Sequence, residues 1–207
     1  MPKTTGISQP TRMVNVARNI QQRQMHTNNK DEKEIKRRLK NPAEQRAAFS
    51  QLVQLFSEPL YWHIRHMVLS HEDSNDLLQN TFLKAWANID KFRGESLVST
   101  WLYRIAINET LTFLDRRKTT IPLDSLEADT VEQLEGDIYF NGDSADAHIQ
   151  AAIRTLPPRQ RMVFNMRYYE DISYEEMSAI FGTSIESLKT SYHIATKKIE
   201  EYLKENC

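Results

Sequence analysis

Apolar residues recur at helical spacing in two stretches of the chain, 41–118 and 149–207, and this pattern predicts a protein made of helices. The first stretch divides into four helices. Their expected starts are Asn41-Pro42, Pro59, Asp73 or Ser74, and residue 99. Their core-facing stripes would be Phe49, Leu52, Val53 and Phe56; Leu60, Ile64, Met67 and Val68; Leu78, Phe82, Ala85 and Trp86; and Tyr103, Ile107, Leu111 and Leu114.

The second stretch has clearer helix boundaries. Pro157-Pro158 ends one helix and starts the next, and Ser173-x-x-Glu176 predicts a capping box at the start of a third. Gly182 would end that helix, and Thr183 or Ser184 would cap the last one. Two short helices joined by a glycine-containing turn are typical of a helix-turn-helix. The inner face of the last helix would carry Ile185, Leu188, Tyr192, Ala195 and Ile199.

The other face of that last helix is polar. Its side chains can donate to or accept from base edges and phosphates when such a helix enters a major groove. They are Glu186, Lys189, Thr190, His193 and Lys197. The pattern therefore indicates DNA binding.

Composition narrows the fold class further. The 207 residues include only 5 glycines, which disfavours sandwiches, barrels and glycine-rich phosphate loops. The single cysteine, Cys207, excludes an intrachain disulfide and a cysteine-based metal site. No apolar run approaches the roughly 18 residues of a membrane span. We expect a soluble, cytoplasmic, all-α protein.

The net charge of −1 hides an uneven distribution of charge. Residues 1–40 form a basic arm that we expect to be disordered, and residues 119–148 hold eight acids and no lysine or arginine. We interpret 119–148 as a flexible acidic linker between two small helical domains, 41–118 and 149–207. The arm is a solvated tail, a faint match to a transit peptide, or the result of a start assigned before Met13 or Met25.

Three motifs in the first domain resemble region 2 of the extracytoplasmic-function (ECF) sigma factors, a subfamily of the sigma-70 family of RNA polymerase sigma factors. They are DLLQNTFLKAW (76–86), FRGES (92–96) and TWLYRIA (100–106). LPPRQR (156–161) and the segment that begins ISYEEM (172–177) resemble region 4 of the same family. Few other families place these two blocks in this order on so short a chain, so the combination predicts a sigma factor.

The resemblance implies how such a protein would bind core RNA polymerase. Region 2 in this family binds the coiled coil of the β′ subunit, and region 4 binds the β flap. A solvated helix face is the alternative interpretation of the region 2 stripe. The core-polymerase-binding residues implied by the resemblance are Asp76, Gln79, Asn80 and Lys84.

The loop after Phe92 would trap a flipped base of the minus-ten promoter element, in a pocket shaped also by Gly94, Leu97 and Val98. A plain connecting loop is the alternative. Helix residues beyond the loop would face promoter phosphates or the opened strand, while Trp86 and Trp101 are expected in the core. The minus-ten residues implied by the resemblance are Arg93, Glu95, Ser96, Arg104, Asn108, Arg116, Arg117 and Lys118.

The last helix would bind the minus-thirty-five element. It is less basic than is usual in the family, which often has arginine at positions 190, 191 and 193, so the division between base and phosphate contacts stays open. The residues implied for this contact are Ser184, Glu186, Ser187, Lys189, Thr190, His193 and Lys197.

The expected partners are core RNA polymerase, promoter DNA and an anti-sigma factor, which could hold the protein at the inner membrane. No cofactor or small-molecule substrate is expected. We find no catalytic constellation, so catalysis would belong to the polymerase. His63, His66 and His71 lie close in sequence, but further ligands are not evident, so we expect surface or packing roles and no metal.

Two questions stay open at this level. The acidic linker either enters a positively charged channel of the polymerase or only adds solubility. The alternative function is a stand-alone helix-turn-helix transcriptional regulator, which an effector pocket or a dimerisation helix would favour.

Overall fold

The computed structural model describes residues 29–68, 70–92, 94–120 and 144–206, with side chains at 31–68, 70–92, 94–117 and 148–206. The secondary structure in these ranges is helical, which confirms the all-α prediction. The elements are α1 (Asn29–Leu39), α2 (Gln45–Val68), α3 (His71–Ala87), a 3₁₀ turn (Ile89–Lys91), α4 (Val98–Thr120), α5 (Ser144–Arg154), α6 (Pro158–Tyr168), α7 (Tyr174–Phe181) and α8 (Ile185–Asn206).

Helix α2 is continuous, so the predicted separate helix from Pro59 is wrong. A proline inside a helix removes one backbone hydrogen bond and costs about 3 kcal/mol. Phe56, Leu60 and Ile64 form one buried stripe across it at i, i+4 and i+8, and this stripe packs against α3 and α4. Breaking the helix at Pro59 would remove half of the stripe from the core. The helix also starts later than expected, because the segment from Asn41 forms a turn.

Helix α3 is rotated relative to the predicted core-facing stripe. Its N-cap is Ser70 and not the predicted Asp73 or Ser74. The Ser70 Oγ accepts a hydrogen bond of 3.1 Å from the Asp73 amide. Trp86, expected in the core, is 41% exposed and packs its ring on Phe49 at 4.9 Å. The buried residues of α3 are Ser74, Leu77, Thr81 and Ala85, with Leu78 and Phe82 half-buried.

Helix α1 corrects the prediction of a disordered arm over residues 1–40. Residues 29–39 are helical, and Ile35 and Leu39 are 1% and 2% exposed. They pack against α2 and α4. An apolar pair at i, i+4 is a weak signal in a segment rich in lysine and arginine, so composition outweighed it in the sequence interpretation. Residues 1–28 lie outside the described residues.

The C-terminal helices follow the predicted boundaries. Pro158 is the first residue of α6, and the Ser173 and Glu176 capping box at the start of α7 is present in both directions. Gly182 ends α7 in the left-handed conformation with φ +65°. The Ser184 hydroxyl accepts from the Ser187 amide at 3.2 Å and so caps α8.

The two helical domains pack on one another through α4 against α7 and α2 against α6. One hydrophobic cluster contains Leu60 and Tyr103 from the first domain together with Met166 and Met177 from the second. A smaller cluster joins α5, α6 and α8 around Phe164. Since α4 extends to Thr120 and α5 begins at Ser144, the ends of the expected linker 119–148 are helical. Residues 121–143 lie outside the described part of the chain.

Among the helices described, none combines the length and the apolar character needed to cross a membrane.

Candidate nucleic-acid interface

The polar stripe of α3 faces away from the core. Asp76, Gln79 and Asn80 are exposed, because the buried seam of the helix runs through Leu77, Thr81 and Ala85 on the other side. Lys84 is also exposed, and its ammonium donates to a carboxylate oxygen of Glu109 in α4 at 2.5 Å. The four residues implied for polymerase binding therefore lie on one accessible face.

The loop before α4 is short and partly exposed. Gly94 has φ +71°, a left-handed conformation that residues with a Cβ rarely adopt. Glu95 is exposed, Ser96 is half-buried and Leu97 is 42% exposed. Val98, expected to shape the pocket, is the first residue of α4 and only 1% exposed, so it supports the loop from below. Arg93 lies outside the described residues.

A cavity of about 350 Å³ opens beside this loop, between the end of α3 and the start of α4. Trp101, which was expected in the core, is only half-buried: its ring packs on Phe92 with ring centres 4.9 Å apart and also forms one wall of the cavity. Amide and ammonium groups surround the ring and can bind a polar planar ligand. The other lining residues are Lys84, Asn88, Lys91, Ile105, Asn108 and Glu109.

Two arginines on the outer face of α4 contact neighbouring helices. Arg104 donates through Nε to the Ile180 carbonyl at 2.9 Å and through Nη2 to the Ala179 carbonyl at 2.5 Å, so its guanidinium caps the end of α7. Arg117 lies 3.6 Å from a carboxylate oxygen of Asp73. Asn108 and Arg116 are exposed, and the side chain of Lys118 is outside the description.

Helix α8 presents all of its predicted polar residues to solvent. Those implied for the minus-thirty-five contact, Ser184, Glu186, Ser187, Lys189, Thr190, His193 and Lys197, are all exposed. Leu188, Ala195 and Ile199 hold the opposite side against α6 and α7. The Lys189 ammonium lies 5.8 Å from the centre of the ring of Tyr174, the first residue of α7.

Buried titratable groups between the two domains were missed by the sequence interpretation. His63 in α2 and Glu170, just after α6, are both fully buried, and His63 Nδ1 lies 2.8 Å from Glu170 Oε1. The His66 ring stacks on Tyr169 with ring centres 4.5 Å apart. Burial lowers the pKa of His66 to about 4. Burial and the Glu170 carboxylate raise the pKa of Tyr103 well above its ordinary value.

His63 and His66 pack in the interior and His71 lies at the surface, which agrees with the surface or packing roles that we expected. His71 is exposed, and its ring nitrogens contact the Tyr61 hydroxyl at 2.7 Å and the Asn75 amide at 3.0 Å. The described residues contain no group of three or more histidine, cysteine or carboxylate side chains arranged to hold a metal ion.

Comparison with known proteins identifies the two domains. The family model described as Sigma-70 region 2 matches residues 52–120, and the model described as Sigma-70, region 4 matches residues 147–199. The chain belongs to the sigma-70 family of RNA polymerase sigma factors. The stand-alone regulator is therefore not favoured.

Relatives place the chain in the ECF subfamily. It is 28% identical over 182 residues to the ECF RNA polymerase sigma factor SigW of Bacillus subtilis, covering 83% of this chain and 97% of SigW. It is 28% identical over 166 residues to the RNA polymerase sigma-H factor of Pseudomonas aeruginosa, covering 75% and 86%. A solved structure of the sigma factor RpoE with the anti-sigma factor NepR from Bartonella quintana has 25% identity and a TM-score of 0.56, covering 75% of this chain and 96% of RpoE.

Proposed function

We propose that this sigma factor binds core polymerase through region 2 and holds the two promoter elements with separate domains. The α3 stripe of Asp76, Gln79, Asn80 and Lys84 would bind the coiled coil of the β′ subunit. The loop 94–97 and the outer face of α4 would bind and open the minus-ten element. Region 4 would contact the β flap and the minus-thirty-five element. Catalysis belongs to the polymerase, and we propose no cofactor.

One observation supports this proposal most strongly: α3 in the first domain and α8 in the second domain both expose a polar face. Each face is backed by a seam of buried residues on the same helix, so the polar side chains are held on rigid elements. Helices presented in this way can enter a groove or dock on a charged helical partner with little loss of conformational entropy.

For the minus-ten contact, the cavity beside Trp101 supplies the chemistry that a flipped base requires. Bases stack on aromatic rings, and their edges are bound by amide and charged side chains. Asn88 and Asn108 can donate to or accept from a base edge, and Lys91 can approach the sugar-phosphate backbone. Glu95 and Ser96 lie in the loop that precedes Trp101.

The Arg104 contact with α7 belongs to a packed arrangement of the two domains that is too short to reach both promoter elements. The minus-ten and minus-thirty-five elements are about 25 base pairs apart, or roughly 85 Å along B-form DNA. A compact protein of this length is roughly 45 Å across. The two domains must therefore separate on a promoter, and separation would release the Arg104 guanidinium from Ala179 and Ile180. The packed arrangement corresponds to the protein before it binds core polymerase.

The near-neutral charge supports dependence on the polymerase. Phosphate contacts and counterion release supply most non-specific DNA affinity, and this chain carries a net charge of −1. We therefore expect weak DNA binding by the free protein and specific binding by the holoenzyme.

An anti-sigma factor is the proposed regulator. The similar RpoE of Bartonella quintana is described in complex with the anti-sigma factor NepR. Such a partner would act by covering the polymerase-binding face or by holding the two domains together. Attachment of that partner to the inner membrane remains part of the proposal.

Polymerase binding is tested by a pair of acidic residues on α3. Asp76 and Glu72 are both exposed and lie one turn apart, but only Asp76 belongs to the proposed contact. We expect Asp76→Ala to weaken binding to core polymerase at least fivefold in a fluorescence titration, and Glu72→Ala to leave it within twofold. Equal affinities for the two variants would contradict the proposed docking face.

DNA recognition is tested on the holoenzyme with Lys189→Ala. We expect weaker binding to a promoter that has both elements, and no change on a fork fragment that carries only the minus-ten element. Tight, sequence-specific binding by the free protein, with no co-elution with core polymerase, would favour the stand-alone regulator instead.

A further inference from the structure

Helix α1 lies outside the range matched by the region 2 family model, which begins at residue 52. It is nevertheless packed on that region, with Ile35 and Leu39 buried against α2 and α4. The segment 31–40 carries five basic and three acidic residues. One of the three acids is buried. Arg37 and Arg38 pair with Glu34 and Glu44, and the other basic residues of the segment are Lys33, Lys36 and Lys40.

The buried acid is Glu32, which is 4% exposed. Its Oε2 accepts hydrogen bonds from the backbone amides of Val98 at 3.0 Å and Ser99 at 3.5 Å. These are the first two residues of α4, where the amides have no partner within the helix and the helix dipole favours a negative charge. Burying a carboxylate is unfavourable unless it is hydrogen-bonded. Glu32 therefore fixes α1 to the start of α4.

The loop 94–97 ends just before Val98, whose amide donates to Glu32. At the other end of the loop, a Cβ built on Gly94 would lie 2.6 Å from Lys36 Cε and 3.0 Å from Lys40 Cε. The Lys40 ammonium nitrogen would lie 3.1 Å from the same atom. Lys36 of α1 and Lys40, the residue just after α1, thus cover Gly94, while Glu32 holds the residue that follows the loop.

We propose that α1 is part of the minus-ten recognition site. Glu32 is a positioning residue that sets the conformation of loop 94–97 through the first amides of α4. Lys36 and Lys40 bind phosphates of the DNA strand whose base enters the neighbouring pocket. The proposal rests on the proposed minus-ten role of that loop.

A purely structural helix would behave differently. If α1 only stabilised region 2, loss of Glu32 would lower binding to every promoter by the same factor, through a smaller folded fraction. If Glu32 sets the loop, its loss changes the ratio of affinities for the preferred minus-ten base and a substituted one. That ratio is independent of the folded fraction.

The experiment uses holoenzyme and a promoter mapped from its own transcription start sites. Fork fragments carry either the mapped minus-ten sequence or the same sequence with its flipped base replaced. We expect Glu32→Gln to lower the affinity ratio at least threefold, because one neutral acceptor oxygen remains, and Glu32→Ala to lower it more. Thermal unfolding of each variant checks that region 2 is folded.

The lysines are tested by the salt dependence of the same binding. Each phosphate contact to a single strand contributes a slope of about 0.7 in the logarithm of affinity against the logarithm of salt concentration. We expect the Lys36→Ala, Lys40→Ala double variant to reduce the slope by about 1.4 and to leave the affinity ratio unchanged. Lys33→Ala is the matched control, because Lys33 is exposed on the same helix and is not among the nearest neighbours of Gly94.

The outcomes separate this inference from the proposed function. Unchanged affinity ratios in folded Glu32 variants, or equal slopes for the lysine variants and Lys33→Ala, would overturn the inference while the wild-type holoenzyme still selects promoters. If the wild-type holoenzyme shows no preference at the minus-ten element, the proposed function of the loop itself fails.

Discussion

His63 Nδ1 and Glu170 Oε1 lie 2.8 Å apart, and both side chains are fully buried although they belong to different regions of the sigma factor. The pair stands beside the ring of Tyr103, whose centre is 5.2 Å from that of His63. Removing one partner of a buried pair leaves a polar group without compensation, which is strongly unfavourable. This contact therefore links the stability of the packed arrangement to two residues more than a hundred positions apart.

Glu170→Ala is expected to destabilise the packed arrangement by about 3–5 kcal/mol. Urea unfolding of the free protein measures this as a lower midpoint. Asp171→Asn is the control, since Asp171 is exposed, has φ 51° and pairs with Arg167 at the surface, and asparagine tolerates that conformation. An apolar pair, His63→Leu with Glu170→Met, should restore most of the loss. A Glu170→Ala midpoint equal to that of Asp171→Asn would contradict the role of the pair.

Arg104→Ala should loosen the contact between the regions, because it removes the hydrogen bonds to the Ala179 and Ile180 carbonyls. Since Arg104 is exposed, we expect an effect of only about 1 kcal/mol. Small-angle X-ray scattering should then show a larger radius of gyration for the free variant. Asn108→Ala, one turn further along the same exposed face, should leave the radius unchanged. Identical scattering from both variants would argue against the Arg104 contact.

Acid should weaken the packed arrangement through His66. Its pKa is about 4 when buried against Tyr169, and returns to about 6.5 on exposure. Glu170 raises this pKa, while burial, His63 and Arg65 lower it. Above pH 6.5 both states are neutral at this residue. Between 6.5 and 4 only the opened or unfolded state takes up the proton, so stability falls with pH across that window and levels off below it.

The contribution of His66 is on the order of 1–3 kcal/mol and is measured by urea unfolding at pH 7.5, 6 and 5. Other groups also titrate there, so the test is the difference between the wild type and His66→Phe. We expect the phenylalanine variant, which keeps the stacking on Tyr169, to lose less stability between pH 6.5 and 4. Parallel pH profiles for the two proteins would contradict the assignment.

Gly182→Ala should destabilise region 4 by about 1 kcal/mol. No atom lies within 4 Å of a Cβ built at this position, so the cost comes from its φ of +65° alone. Gly182→Asn should cost less, because asparagine tolerates the left-handed conformation. Thermal unfolding of the wild type and the two variants measures the order of their stabilities. A Gly182→Ala variant as stable as the wild type would contradict this prediction and show that the turn changes conformation.

The sequence predicted region 4 more accurately than region 2. Gly182, Pro158 and the Ser173 capping box act through local backbone geometry, and local signals can be recognised without the tertiary structure. Pro59 and Trp86 depend on packing between helices: a long buried stripe keeps α2 continuous, and the rotation of α3 exposes the Trp86 ring.

Contacts between distant segments were beyond sequence reasoning. Nothing local distinguishes Glu170 from a surface acid, or Glu32 from the other acids in a basic segment. Their burial follows only from the way that α2 meets α6 and that α1 meets α4. For the sites, helical spacing identified the exposed stripes of α3 and α8. The hydrogen bonds from Arg104 to α7 could not be predicted in this way, because they depend on how the two domains pack.

The most direct measurement of the central claim is transcription of sheared genomic DNA by matched core RNA polymerase, with and without this protein. A promoter-specificity factor should produce discrete new start sites that share two spaced upstream elements, and Lys189→Ala should weaken them. No protein-dependent transcripts, together with no co-elution with core polymerase, would contradict the account.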